Sequence, residues 1–80
     1  MAVVEIISKD ECHLCDDALE VLRRVQREIP FELQIRKLRE GDPDFEEYKI
    51  RFPVINVNGQ FAFQYRVPEK LLRKKLEETA

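Results

Sequence analysis

The order of three hydrophobic patterns near the N-terminus constrains this chain more than any other feature. Val3–Ile7 (VVEII) is a short, nearly continuous apolar run, as in a strand buried on both faces. Ser8–Glu11 is polar and ends it. The apolar positions then fall at Leu14, Ala18, Val21, Leu22, Val25 and Ile29, spaced by threes and fours along one face of a helix. Asp16, Asp17 and Glu20 lie in its early turns and Arg23, Arg24 and Arg27 in its later ones, which complements the helix dipole. Pro30 stops it. Phe31, Leu33 and Ile35 alternate with Glu32, Gln34 and Arg36, the period-two pattern of a strand with one buried face. Strand, helix and strand within about 35 residues form a βαβ unit, whose two strands run parallel.

The second half extends the same sheet. Gly41-Asp42-Pro43 is a break, after which Asp42 is expected to cap, and Pro43 to occupy the first turn of, a short helix running to about Lys49. Pro53 opens a third strand, Val54–Val57, and Asn58-Gly59 is a strong hairpin signal because both turn positions want positive φ. Phe61, Phe63, Tyr65 and Val67 alternate along a fourth strand, which Pro68 ends. Leu71, Leu72 and Leu76 are expected on the inner face of the last helix. The order is β-α-β-α-β-β-α, an α/β chain whose four-stranded mixed sheet is flanked by helices. Eighty residues leave no room for a second core, so residues 1–80 are expected to form one domain.

Composition removes several function classes. The formal net charge of −2 argues against a nucleic-acid binder that works by neutralising phosphates. Arg73, Lys74 and Lys75 are consecutive, so on a helix they point around the axis and make no basic face. No stretch is long and apolar enough to span a bilayer, and no membrane partner is expected. Met1 runs straight into Ala2-Val3-Val4 without a basic region or cleavage site, so no signal peptide and a cytoplasmic location are expected.

The two cysteines, Cys12 and Cys15, fall between the first strand and the first helix. A bridge between them would close a loop of four residues. So short a loop removes little chain entropy, so stapling the fold is a poor reason for it. Position explains them better. Unpaired N–H groups and the positive dipole end at a helix N-terminus stabilise a thiolate, and a CxxC spacing there lowers the thiol pKa from its free value near ~8.5. Cys12, first and more exposed, is the expected nucleophile, and Cys15, one helical turn later, the expected resolving thiol. Lys9 and His13 are candidate supporting residues that would add positive potential. Asp10, Glu11, Asp16 and Asp17 oppose them. A structural zinc site needs four ligands. Two cysteines and one histidine cannot supply them, so no metal site is expected within one chain. A dimer could share zinc or an iron–sulfur cluster through Cys12 and Cys15.

These motifs together resemble the glutaredoxin family of the thioredoxin fold, and within it the short bacterial glutaredoxin-like proteins. Lys9-x-x-Cys12-x-x-Cys15 after the first strand, Arg51-Phe52-Pro53-Val54-Ile55 and the Asn58-Gly59 turn carry the resemblance, which covers nearly the whole chain. It implies a thioredoxin/glutaredoxin-like sheet. It also implies a cis Pro53 packed across from the cysteines, and a Phe52 that offers backbone groups to an incoming peptide or to glutathione. Two segments depart from the family. His13-Leu14 replaces the Pro-Tyr between the cysteines of ordinary glutaredoxins. Phe63-Gln64-Tyr65-Arg66-Val67-Pro68 lacks the Gly-Gly that binds the γ-glutamyl carboxylate of glutathione there. Glutathione-dependent activity is therefore expected to be weak or missing, with no bound cofactor beyond a redox-active Cys12–Cys15 disulfide. The expected function is a monomeric thiol–disulfide oxidoreductase whose partner is a protein disulfide substrate or a reductase. A metal or iron–sulfur carrier formed by a dimer, and a non-catalytic thioredoxin-fold adaptor, remain open as alternatives.

Overall fold

A computed structural model describes residues 1–79. The elements follow in the order β1 (Val3–Lys9), α1 (His13–Glu28), β2 (Glu32–Leu38), α2 (Phe45–Tyr48), β3 (Val54–Val57), β4 (Gln60–Gln64) and α3 (Glu69–Thr79). They form one four-stranded sheet of order β2-β1-β3-β4. The continuous apolar run at β1 has a simple cause, since β1 is central and pairs on both sides. It runs parallel to β2, with Ile6 beside Ile35, and antiparallel to β3, with Ile6 beside Ile55. The Asn58-Gly59 turn closes the β3–β4 hairpin with φ of 51° and 80°, as its residue types require. Asn58 also ties the turn to β1: its Oδ1 accepts from the Val3 N–H, and its own N–H donates to the Val3 carbonyl.

Alternation along β1 sends neighbouring residues to two separate clusters. Val4 and Ile6 face α1 and α3, where they pack with Leu22, Val25, Ile55, Val57, Leu72 and Leu76. Ile7 faces the other way and joins Cys15, Leu38, Phe52 and Val54, against which Cys12, Phe45 and Tyr48 pack. The two long helices are also linked on their outer side. Arg24 bonds Glu69 at 3.0 Å, while Arg73 reaches both Glu69, at 3.2 Å, and Glu28. The carboxyl of Glu69 is held below the ordinary carboxylate range, first by its hydrogen bond from Arg24 and then by that from Arg73.

The structure corrects five expectations drawn from the sequence. Asp42 does not cap α2. Its carboxylate accepts from the Arg39 N–H at 2.7 Å and closes a turn, and Pro43 lies outside the four-residue helix. β2 is an edge strand, so Ile35, expected to be buried, is 47 % exposed. β4 ends at Gln64, after a register shift opposite Ile55/Asn56, so Tyr65 and Val67 leave the alternation. Leu71 is exposed on α3, where Leu72 and Leu76 alone of the three leucines fill the inner face. Leu14, at the first turn of α1, is half-exposed instead of buried.

Candidate active site

The C-terminal end of β1 and the N-terminal end of β3 lie side by side, because Ile7 pairs with Val54. The loop after β1 and the segment before β3 therefore meet at one edge of the sheet, outside the carboxyl end of a parallel strand, where α/β folds commonly bind ligands. The first brings Cys12 and the second brings Phe52 and Pro53.

Cys12 is the N-cap of α1. Its Sγ accepts from the Cys15 N–H at 3.1 Å, and its carbonyl accepts from the Asp16 N–H at 3.0 Å. One of the donors that a helix start leaves unpaired, the Cys15 N–H, is thus aimed at the Cys12 sulfur. Cys12 and Cys15 form a disulfide, with Cα atoms 5.1 Å apart. Cys12 is partly exposed, whereas Cys15 is buried at 4 %. An attacking thiol can therefore approach Cys12 but not Cys15.

The Phe52–Pro53 peptide is cis, and both residues are buried. The Phe52 ring lies 5.8 Å from that of Phe45, and the Lys9 ammonium stands 5.8 Å from the Phe52 ring centroid. Among the described residues, the Phe52 N–H and carbonyl take no part in backbone hydrogen bonding. Unpaired backbone groups beside a strand are of the kind that an extended chain can pair with.

Lys9, Cys12, Leu14, Ile50, Phe52 and Tyr65 line a cleft of about 350 Å³. His13, Glu11 and Lys49 complete it. His13, the first residue of α1, is exposed. The carboxylates that opposed Lys9 in the sequence are partly drawn aside: Asp10 pairs with Lys37 on β2 at 3.4 Å, and Asp16 and Asp17 are exposed on α1. Only Glu11 among them lines the cleft with Lys9 and Lys49. Among the described residues, no group of three or more His, Cys, Asp or Glu side chains is placed to hold a metal within one chain.

Three cleft residues were not singled out by the sequence. Ile50 is 79 % exposed, Tyr65 is 42 % exposed and Leu14 is 40 % exposed. Leu14 had the helical spacing of a core residue. Tyr65 had the alternation of a fourth strand that ends one residue before it, and Ile50, outside any regular element, carried no positional signal. An exposed apolar group gathered around a redox pair is informative in a way that scattered exposed residues are not.

Residues 3–77 match the family model described as "Glutaredoxin-like domain (DUF836)". Among solved structures, a structural-genomics target protein from X. campestris superposes with a TM-score of 0.76 at 21 % identity, covering 94 % of this chain and 96 % of its own. Fasciola hepatica thioredoxin gives 0.64 at 17 % identity, over 99 % of this chain and 81 % of that one. Thioredoxin-2, described as a component of malaria parasite protein secretion machinery, gives 0.66 at 12 % identity, over 98 % and 82 %. At these identities the likenesses establish the fold, which is thioredoxin-like. No helix among the described residues is long and apolar enough to cross a membrane.

Proposed function

The chain belongs to the glutaredoxin-like domain family, and on that premise we propose that it is a thiol–disulfide oxidoreductase acting on protein disulfides through Cys12 and Cys15. The observation that carries this reading is the asymmetry of the pair. Cys12 is partly exposed and its Sγ accepts the Cys15 N–H at the start of α1, while Cys15 lies buried one turn behind it.

In the reduced protein the Cys12 thiolate attacks one sulfur of a substrate disulfide. A bond forms between Cys12 Sγ and that sulfur, and the other substrate sulfur leaves as a thiolate. The Cys15 thiolate then attacks Cys12 Sγ. This closes the Cys12–Cys15 disulfide and releases the second substrate thiolate. Two electrons pass from the dithiol to the substrate, and an external dithiol returns the pair to its reduced form. The Cys15 N–H, 3.1 Å from Cys12 Sγ, and the positive end of α1 favour the thiolate over the thiol. Lys9 adds a cation to the same cleft.

The apolar wall of Leu14, Ile50 and Tyr65 and the unpaired Phe52 backbone support a peptide substrate that lies extended beside Phe52, with an apolar residue near its cysteine. A glutathione-dependent cycle has less support, since Phe63-Gln64-Tyr65-Arg66-Val67-Pro68 lacks the glycines of ordinary glutaredoxins. The test is a redox titration of the cysteine pair together with a protein-disulfide reduction assay. Wild-type protein is expected to show a reversible two-electron couple and reductase activity. Activity that survives Cys12→Ser unchanged overturns the assignment.

A further inference from the structure

Tyr65 follows β4 directly, with φ at 68°, in the left-handed region. That conformation is unusual for a bulky side chain and costs free energy, so something must hold it. Two hydrogen bonds do. The Tyr65 N–H donates to the Pro53 carbonyl and its hydroxyl to the Ile50 carbonyl, each at 2.9 Å. One residue thus ties both ends of the segment Ile50–Pro53. Packing does not account for the arrangement, since Tyr65 is 42 % exposed. Tyr65 lines both the Cys12 cleft and a neighbouring cleft of about 280 Å³.

The segment that Tyr65 ties contains Phe52, whose backbone N–H and carbonyl have no backbone partner among the described residues. An extended peptide pairing with Phe52 depends on where that backbone is held relative to Cys12. A small disulfide that only collides with Cys12 does not. We infer that Tyr65 is a positioning residue that holds the Ile50–Pro53 segment for peptide pairing, and so selects protein disulfides over small ones. This rests on the oxidoreductase function proposed above.

The test uses reduced full-length protein and two probes. One is Ellman's reagent, a small aromatic disulfide. The other is a hexapeptide with apolar flanks whose central cysteine is activated as a mixed disulfide with thionitrobenzoate. Both release thionitrobenzoate when Cys12 attacks. Tyr65→Phe keeps the ring and removes the hydroxyl. Tyr65→Gly removes the ring as well, while glycine accepts the left-handed backbone without strain, so this second variant guards against a folding failure of the first. Tyr65→Phe is expected to raise the KM for the peptide about two- to tenfold, the usual worth of one lost neutral hydrogen bond, and Tyr65→Gly, which also takes the ring out of the apolar wall, to raise it at least as much. In Tyr65→Phe the limiting rate at saturation and the rate with Ellman's reagent stay as in wild type. Unchanged peptide kinetics in both variants, or an equal slowing with both probes, overturns the positioning role. Wild-type protein that reacts with neither probe through Cys12 overturns the oxidoreductase function itself, and the positioning role with it.

Discussion

Ile6 and Ile7 are neighbours in one strand, both 1 % exposed, yet they serve two regions of different character. Ile6 belongs to the cluster between the sheet and the two long helices, where the inner positions of regular elements meet. Ile7 belongs to the smaller cluster at the end of the sheet, where Cys15, Phe52 and Val54 meet Cys12, Phe45 and Tyr48. The first region is closed and periodic. The second is built from element ends and loops, and opens onto a cleft. It is also where the unusual backbone lies: Glu11 and Tyr65, among the described residues the two with positive φ outside the hairpin turn and glycine, both line that cleft. Stability and chemistry are thus separated by the thickness of one sheet, and each can be perturbed without the other.

The largest expected effect is on chemistry alone. Cys12→Ser should reduce disulfide-reductase activity to background while the thermal unfolding midpoint of the reduced protein stays within a few degrees of wild type, as circular dichroism would record. Next comes stability alone. Leu22 is fully buried in the larger cluster, so Leu22→Ala should cost about 2–5 kcal/mol in denaturant unfolding. The folded fraction should still react with Ellman's reagent at the wild-type rate.

A matched pair sharpens the contrast. Ile6→Val and Ile7→Val should each cost about 0.5–1.5 kcal/mol, because each removes one buried methylene. Only Ile7→Val should also change peptide-disulfide kinetics, since Ile7 packs with Phe52. Equal kinetics in the two variants would break the proposed separation. The smallest effect lies in the link between α1 and α3. The native carboxyl of Glu69 titrates below its unfolded value, so its contribution is fully present above the unfolded value and is lost as the pH falls through the depressed native one. Glu69→Gln should therefore lower stability slightly at neutral pH, and the difference from wild type should vanish in acid. Paired urea titrations at the two pH values would measure it.

The larger cluster was legible in the sequence because period is a direct consequence of which face is buried. Leu22, Val25, Leu72 and Leu76 follow from it, while Val4 and Ile6 follow from the continuous apolar run of β1. Period says which residues share a face but not how far the opposing surface extends. This is why Leu71 on α3, Ile35 on an edge strand and Leu14 at the exposed first turn of α1 were expected in the core and are not there. In the smaller cluster Ile7 and Val54 follow from their strands, whereas Cys12, Cys15 and Phe52 were legible through a motif and a family resemblance. Tyr65 was hidden for a physical reason. The β4 bulge and its left-handed backbone take it out of an alternation that, read along the chain, continues through it.

The difference in access between Cys12 and Cys15 is the central claim, and trapping tests it most directly. The Cys15→Ser variant, reduced and mixed with a disulfide-bonded protein, lacks the thiol that resolves the intermediate. Intact mass and peptide mapping should find a stable mixed disulfide on Cys12. If the substrate is reduced without any adduct on Cys12, or if the variant stays free of substrate while wild type remains active, the assignment of attack to Cys12 and resolution to Cys15 is contradicted.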